Sequence, residues 1–140
     1  MISRMNAEQS YALLRGGRVA HLGLVERGGP YVVPVNYVFD GEYFYFHTLP
    51  GRKVNAMRAD PRVCVQVDEV RGDFCWKSVV AFGRAEELTG PDARAHALSM
   101  LLAIFPHLTP VESLIAGDAA APRPLTFRIR LEHVTGLGEG

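Results

Sequence analysis

The stretch YVVPVNYVFDGEYFYFHT (31–48) constrains the fold more than any other part of the chain. Asp40-Gly41 stands between two runs rich in aromatic and β-branched residues. That pattern is the strongest short-range signal for an antiparallel hairpin. The expected strands are 31–39 and 43–48. Pro34 lies inside the first of them and cannot donate to a ladder, so an edge or a bulge is expected there.

The same period of two recurs along the chain. RVAHLGLVE (18–26) reads as a half-buried strand closed by the turn ERGG (26–29). In RVCVQVDE (62–69), Val63, Val65 and Val67 share one face and Cys64, Gln66 and Asp68 the other. CWKSVVAFGRAEEL (75–88), reached through the polar link RGD (71–73), predicts a long strand with Gly83 as a bulge. LTFRIRLEHVTG (125–136) alternates Phe127, Ile129 and Leu131 with Arg128, Arg130 and Glu132.

Helical signals are short. Asn6 can cap a helix over 6–15, with Tyr11, Leu13 and Leu14 on its apolar side and Gly16-Gly17 ending it. A second helix is expected over 52–59, stopped by Asp60-Pro61. Gly90-Pro91-Asp92 opens a third over roughly 92–104, with Ala95, Leu98, Leu101 and Leu102 as its apolar stripe. Residues 106–124 read as a Pro- and Ala-rich loop in which VESLIA (111–116) adds a helical turn. Six strands with short helices and no regular helical crossovers predict one domain over 1–140. An antiparallel barrel fits that pattern better than a doubly wound parallel sheet.

Charge excludes some functions. Fifteen basic and fifteen acidic residues give a formal net charge of zero. Broad electrostatic binding to nucleic acid or to an anionic membrane is not expected. The two cysteines, Cys64 and Cys75, fit no disulfide framework or zinc spacing and read as free thiols in a reducing cytoplasm. No signal peptide or membrane-spanning run is visible. His21, His96, His107 and His133 stand at no metal-ligand spacing, so no metal site is expected.

One stretch runs against local electrostatics. In FHTLPGRKVNAM (46–57), Arg52 and Lys53 open the second helix, where the helix dipole already favours negative charge. An anion there removes the conflict. Amides from Gly51 onward, a guanidinium and an ammonium would together make a phosphate site. The other reading is a solvated pair whose stems lie on apolar neighbours. The string is neither a P-loop nor a dinucleotide fingerprint.

Three further patches attract attention. His47 and Thr48 end a strand beside the expected anion pocket, a position suited to ligand contact or to a half-buried histidine bonded to backbone. Pro34, Val35, Asn36 and Tyr37 offer irregular backbone and an amide that could read a flat heterocycle, or form an ordinary edge strand. Trp76 and Ser78 lie on the long strand, where the tryptophan covers a ring or an interface, or fills core.

In order along the chain, GRVAHLGLVERGGPYVVPVNYVFDGEYFYFHTLPGRKVNAMRADPRVCVQVDE followed by WKSVVAFGRAEEL resembles the pyridoxamine 5'-phosphate oxidase-like, FMN-binding split-barrel proteins. Within them it is most similar to the nitroimidazole-resistance (Nim-type) flavoproteins. The resemblance covers roughly residues 5–104 and the last strand. It implies a six-stranded antiparallel split β-barrel that forms a homodimer with FMN at the subunit interface. It also implies that Gly51, Arg52 and Lys53 hold the FMN phosphate. Pro34, Val35, Asn36 and Tyr37 would line the flavin, with His47 and Thr48 flanking it. Trp76 and Ser78 would approach the cofactor, from the other subunit if the dimer places them so.

The implied activity is an FMN-dependent oxidoreductase of nitroreductase type. It would take electrons from a reduced nicotinamide or another donor and pass them to a small aromatic acceptor, with His47 as the catalytic proton donor. VVPVNY differs from the Arg- and Lys-bearing strand of the oxidase proper, so pyridoxamine phosphate oxidation itself is not implied. The alternatives are a flavin-binding or redox-sensing module without turnover, or a barrel that hosts deazaflavin or haem. A deazaflavin tail would draw on Arg52, Lys53, Arg58 and Arg62, and haem on His47 or His21.

Overall fold

The computed structural model describes residues 1–105 and 124–140. The helical turn expected at 111–116, and all but the last residue of the loop expected at 106–124, lie outside the described residues. The elements run β1 (Ser3–Arg4), α1 (Ala7–Gly16), β2 (Val19–Glu26), β3 (Gly29–Asn36), β4 (Val38–Phe39) and β5 (Tyr43–Thr48). They continue with α2 (Arg52–Ala59), β6 (Arg62–Gly72), β7 (Cys75–Glu87), α3 (Pro91–Ile104) and β8 (Leu125–Glu139). No described helix is long and apolar enough to cross a membrane.

Local chemistry explains most boundaries. The Asn6 side chain accepts from the Gln9 amide at 2.8 Å while Gln9 Oε1 accepts from the Asn6 amide at 2.9 Å, a complete capping box. The β2–β3 turn has two residues at positive φ, Arg27 at 50° and Gly28 at 79°, which matches the twist of the flanking strands. At the second hairpin Asp40 Oδ1 accepts from the amides of Glu42 (2.9 Å) and Tyr43 (2.7 Å), and Gly41 takes φ 103°.

The strand expected over 31–39 breaks at Tyr37. Its amide donates to the Arg18 carbonyl (3.1 Å) and its hydroxyl to the Leu14 carbonyl (2.6 Å). Its ring stacks on Phe44 with centroids 4.3 Å apart. These bonds turn the chain from the β2 ladder toward β5.

The sheet is antiparallel, in the order β3-β2-β6-β7-β8-β5-β4, with β1 added to β8. This corrects the six-stranded split β-barrel expected from the sequence. There are eight strands among the described residues, and the sheet is open. Its path ends at β3 and β4, which follow each other in the chain through Tyr37 and do not form a ladder together. Pro30 and Pro34 remove two donors from β3, and β4 has only two residues, so neither end offers a run of groups able to complete closure.

The long strands β6, β7 and β8 form the centre. Gly83 does mark an irregularity: Phe82 pairs with His133 and Gly83 with Leu131, so the extra residue, Glu132, is on β8. The core lies on one face of the sheet, where Leu22, Val65, Val79, Phe44, Phe46 and Phe127 are fully or almost fully buried under α1 and α2. α3 packs separately, with Ala97 beside Tyr45 and Leu88. The opposite face, carrying Val19, Val32, Phe82 and Leu137, is exposed.

Candidate functional site

Strand β5 runs along β8 until Thr48 pairs with Leu125, and the chain then turns through Leu49, Pro50 and Gly51 into α2. Gly51 has φ 155° and ψ −156°, a conformation open in practice to glycine alone. It caps α2 without a side-chain hydrogen bond, and the first turn holds no acidic residue. The leading amides of the helix are therefore free to meet an anion.

That turn forms one wall of a cavity of about 460 Å³. β3 supplies Tyr31, Pro34, Val35 and Asn36, the end of β5 supplies His47 and Thr48, and α2 supplies Arg52 and Lys53. Leu101 of α3 and Pro124 complete it. The volume is within the range that encloses a cofactor-sized molecule.

The two cations differ in state. Lys53 is half-buried, and burial lowers its ammonium below the ordinary lysine value. Among the described residues no carboxylate lies within salt-bridge distance of it, so it is a desolvated cation that an anion would stabilise. Arg52 is more exposed and already engaged. Its Nε lies 2.6 Å from Glu26 Oε1, and its guanidinium sits 4.6 Å above the Tyr31 ring centroid. The hydrogen bond from Arg52 is the main cause holding the Glu26 carboxyl below its usual value.

His47 reaches two spaces at once. It lines the main cavity and a second one of about 310 Å³ formed with Pro91, Arg94, Ala95, Leu98, Pro124 and Thr126. Its Nδ1 lies 2.9 Å from Thr126 Oγ1, while its Nε2 is buried and has no partner. Burial is the largest influence on the ring and lowers its pKa, against an opposing backbone hydrogen bond at Leu125. Nearby Arg94 lowers it further. The imidazole is thus neutral at pH 7, with one polar atom still to be satisfied by a ligand or water.

Most of the residues singled out in the sequence come together here: Pro34, Val35, Asn36, His47, Thr48, Gly51, Arg52 and Lys53 all line the cavity. Asn36 also donates to the Arg18 carbonyl at 3.4 Å. Three do not join them. Tyr37 is a core residue, 1% exposed, and burial raises its hydroxyl pKa far above the usual range. Trp76 lines a small recess with Glu69, Arg71 and Lys77. Ser78 Oγ accepts from Gln66 Nε2 at 3.0 Å on the outer sheet face.

Sequence reasoning passed over Glu26, Tyr31 and Leu101 as site residues. The first two flank the ERGG turn, and their only signal was that a hairpin returns its ends to one place. Leu101 read simply as part of an apolar helical stripe. Arg58 and Arg62 do not line the cavity, being paired with Glu87 (2.9 Å) and Asp60 (2.7 Å).

The residues fit a flavin. The walls are largely apolar, the cationic end suits a phosphate, and His47 and Asn36 offer polar atoms to a ring or chain. Fold and site therefore define a class: an open, helix-decorated antiparallel sheet with a largely apolar cavity whose cationic end suits a phosphate-bearing ring compound. The comparisons agree and narrow it. Residues 6–137 match the family described as pyridoxamine 5'-phosphate oxidase, and this chain belongs to that family. An uncharacterized protein of Rhizobium meliloti is 32% identical over 142 residues, spanning 94% of this chain and 91% of its own. The crystal structure of an FAD-binding protein from Mesorhizobium loti superposes with a TM-score of 0.81 at 36% identity, covering 100% of this chain and 99% of that one. A candidate 5-nitroimidazole antibiotic resistance protein from Bacteroides thetaiotaomicron shares the fold, with a TM-score of 0.75 at 17% identity over 98% of this chain and 87% of the other.

Proposed function

We propose that this chain is a flavin-dependent oxidoreductase that holds the FMN portion of its cofactor in the 460 Å³ cavity and reduces small aromatic acceptors, nitro compounds among them. The observation that carries this reading is Lys53, desolvated and without a carboxylate at salt-bridge distance among the described residues, at the uncapped N-terminus of α2 and at one end of a largely apolar cavity. Lys53, the α2 amides and the free donors of Arg52 hold the phosphate. Pro34, Val35 and Asn36 lie along the ring and ribityl chain. The bound flavin supplies hydride or electron transfer. His47, neutral at pH 7, exchanges a proton with the acceptor through Nε2. The family resemblance and the nitroimidazole-resistance name of a fold relative support the acceptor class.

The exposed apolar residues Val19, Val32, Phe82 and Leu137 belong to strands of one sheet face. Their place is the contact with a second copy, and the homodimer is part of this proposal.

The test is an absorbance spectrum of the purified protein, followed by mass identification of the released chromophore. Oxidised-flavin bands with a flavin mass are expected. A colourless protein that also takes up no added flavin would end the reading. With flavin bound, His47→Gln is expected to lower kcat for a nitroaromatic acceptor while leaving flavin affinity within about twofold. Full turnover at saturating acceptor would remove His47 from the chemistry.

A further inference from the structure

Helix α3 borders both cavities at which His47 stands. Leu101 lines the first, and Pro91, Arg94, Ala95 and Leu98 line the second. These positions recur every three or four residues, so they lie on one face of the helix. His47 and Pro124 line both spaces. The two are therefore successive lengths of one groove along α3, with the imidazole at the boundary.

That boundary holds the unsatisfied atom. His47 Nδ1 lies 2.9 Å from Thr126 Oγ1, and Thr126 lines the second space only. Nε2 is buried and has no partner among the described residues. In either neutral tautomer Nε2 donates or accepts one hydrogen bond, and an occupant of the groove can make it.

The second space, about 310 Å³, differs from the first in size and charge. It suits a single-ring compound and is too small for a second nucleotide. Pro91, Ala95, Leu98 and Pro124 give it apolar walls. Arg94 is its cation, and no carboxylate lines it among the described residues. Asp92, two positions earlier, lies on the opposite side of α3. Arg94 is close enough to the imidazole to lower its pKa. The planar fork of a guanidinium matches a carboxylate through two N–H groups.

We propose that the second cavity is the subsite of the acceptor, and that Arg94 selects single-ring aromatic acceptors with a carboxylate remote from the reducible group. The carboxylate pairs with Arg94, the ring lies against Leu98 and Pro124, and the reducible group reaches His47 Nε2 at the boundary with the flavin cavity. This rests on the flavin reading above and deepens it, by giving the acceptor a charge and an orientation.

The experiment is calorimetric titration of the flavin-loaded full chain with 4-nitrobenzoate and with 4-nitrobenzamide, its neutral counterpart of similar shape. The carboxylate compound is expected to bind at least about tenfold more tightly. Arg94→Gln is expected to remove that preference while leaving 4-nitrobenzamide within about twofold. Ala95→Trp fills the cavity from an exposed helical position and is expected to abolish binding of both compounds while flavin stays bound. Equal affinities in the wild-type chain, or no binding of either compound, would overturn the inference and leave the flavin reading standing. So would an Arg94→Gln chain that keeps the preference. Unchanged binding in Ala95→Trp would overturn the placing of the acceptor in this cavity. A chain that takes up no flavin would overturn the flavin reading. Binding of 4-nitrobenzoate to that chain with the same dependence on Arg94 would still place a carboxylate in this cavity, and its absence would end both readings.

Discussion

At the scale of single residues, the site is a matter of which charges are already satisfied. Lys53 is a half-buried ammonium without a carboxylate among the described residues, so its loss should be felt by the ligand. Lys53→Met keeps the stem and deletes the charge. A hydrogen bond to a charged group is worth about 1.5–3 kcal/mol, which predicts a roughly tenfold to hundredfold loss of FMN affinity. Riboflavin, which has no phosphate, should bind as before, and the ratio of the two affinities checks the claim.

Tyr37 makes the opposite case. Tyr37→Phe removes the hydroxyl from the Leu14 carbonyl and leaves a buried acceptor unpaired. The expected cost is about 1–3 kcal/mol of stability, read from urea midpoints, with no change in flavin affinity. His47 adds a pH signature. Its pKa in the folded chain lies below the ordinary value of 6.5 because burial disfavours the cation. Below pH 6.5 the unfolded chain therefore binds the proton first. The stability associated with neutral His47 is fully present above pH 6.5 and is lost as pH falls toward the folded value. His47→Gln should flatten this part of the stability profile between pH 7.5 and 5. An unchanged slope would mean that the ring is not buried in solution.

At the scale of elements, most local structure was legible because the determining interactions are local. The Asn6 capping box, the Asp40-Gly41 turn and the strand periods involve neighbours within a few positions. Two of the departures in strand layout come from long-range contacts. Tyr37 interrupts the expected strand because Leu14 and Arg18, on other elements, bind it. The irregularity sensed at Gly83 belongs to the pair: the glycine is where β8 comes close, and the extra residue is Glu132. A Cβ at Gly83 would stand 2.3 Å from the Arg130 carbonyl oxygen and 2.8 Å from the Ile129 side chain. Gly83→Ala must push backbone apart between two central strands, and about 1–3 kcal/mol of destabilisation is expected in thermal or urea unfolding. Retention of wild-type stability would show that β8 can shift away without cost.

At the scale of the molecule, the open sheet leaves an apolar face that the homodimer reading assigns to a second copy. Phe82→Asp combined with Val32→Asp places two charges on that face without touching the core. Sedimentation should then shift from a dimer to a monomer mass, and a wild-type chain that sediments as a monomer would remove the proposal. Trp76 and Ser78, which lie away from the cavity within one chain, would enter a site only across such a contact.

The residue sequence by itself determined the strand and helix periods, the turn chemistry and the family. Each of these follows from residues close along the chain or from an ordered string of motifs. Only the tertiary structure decided that the sheet stays open, that Tyr37 belongs to the core, that β3, the end of β5 and α2 meet at one cavity, and that Arg52 is held by Glu26 and Tyr31 while Lys53 has no carboxylate beside it among the described residues. Closure, burial and ion pairing depend on which distant segments meet, and one-dimensional periodicity carries no distance between them.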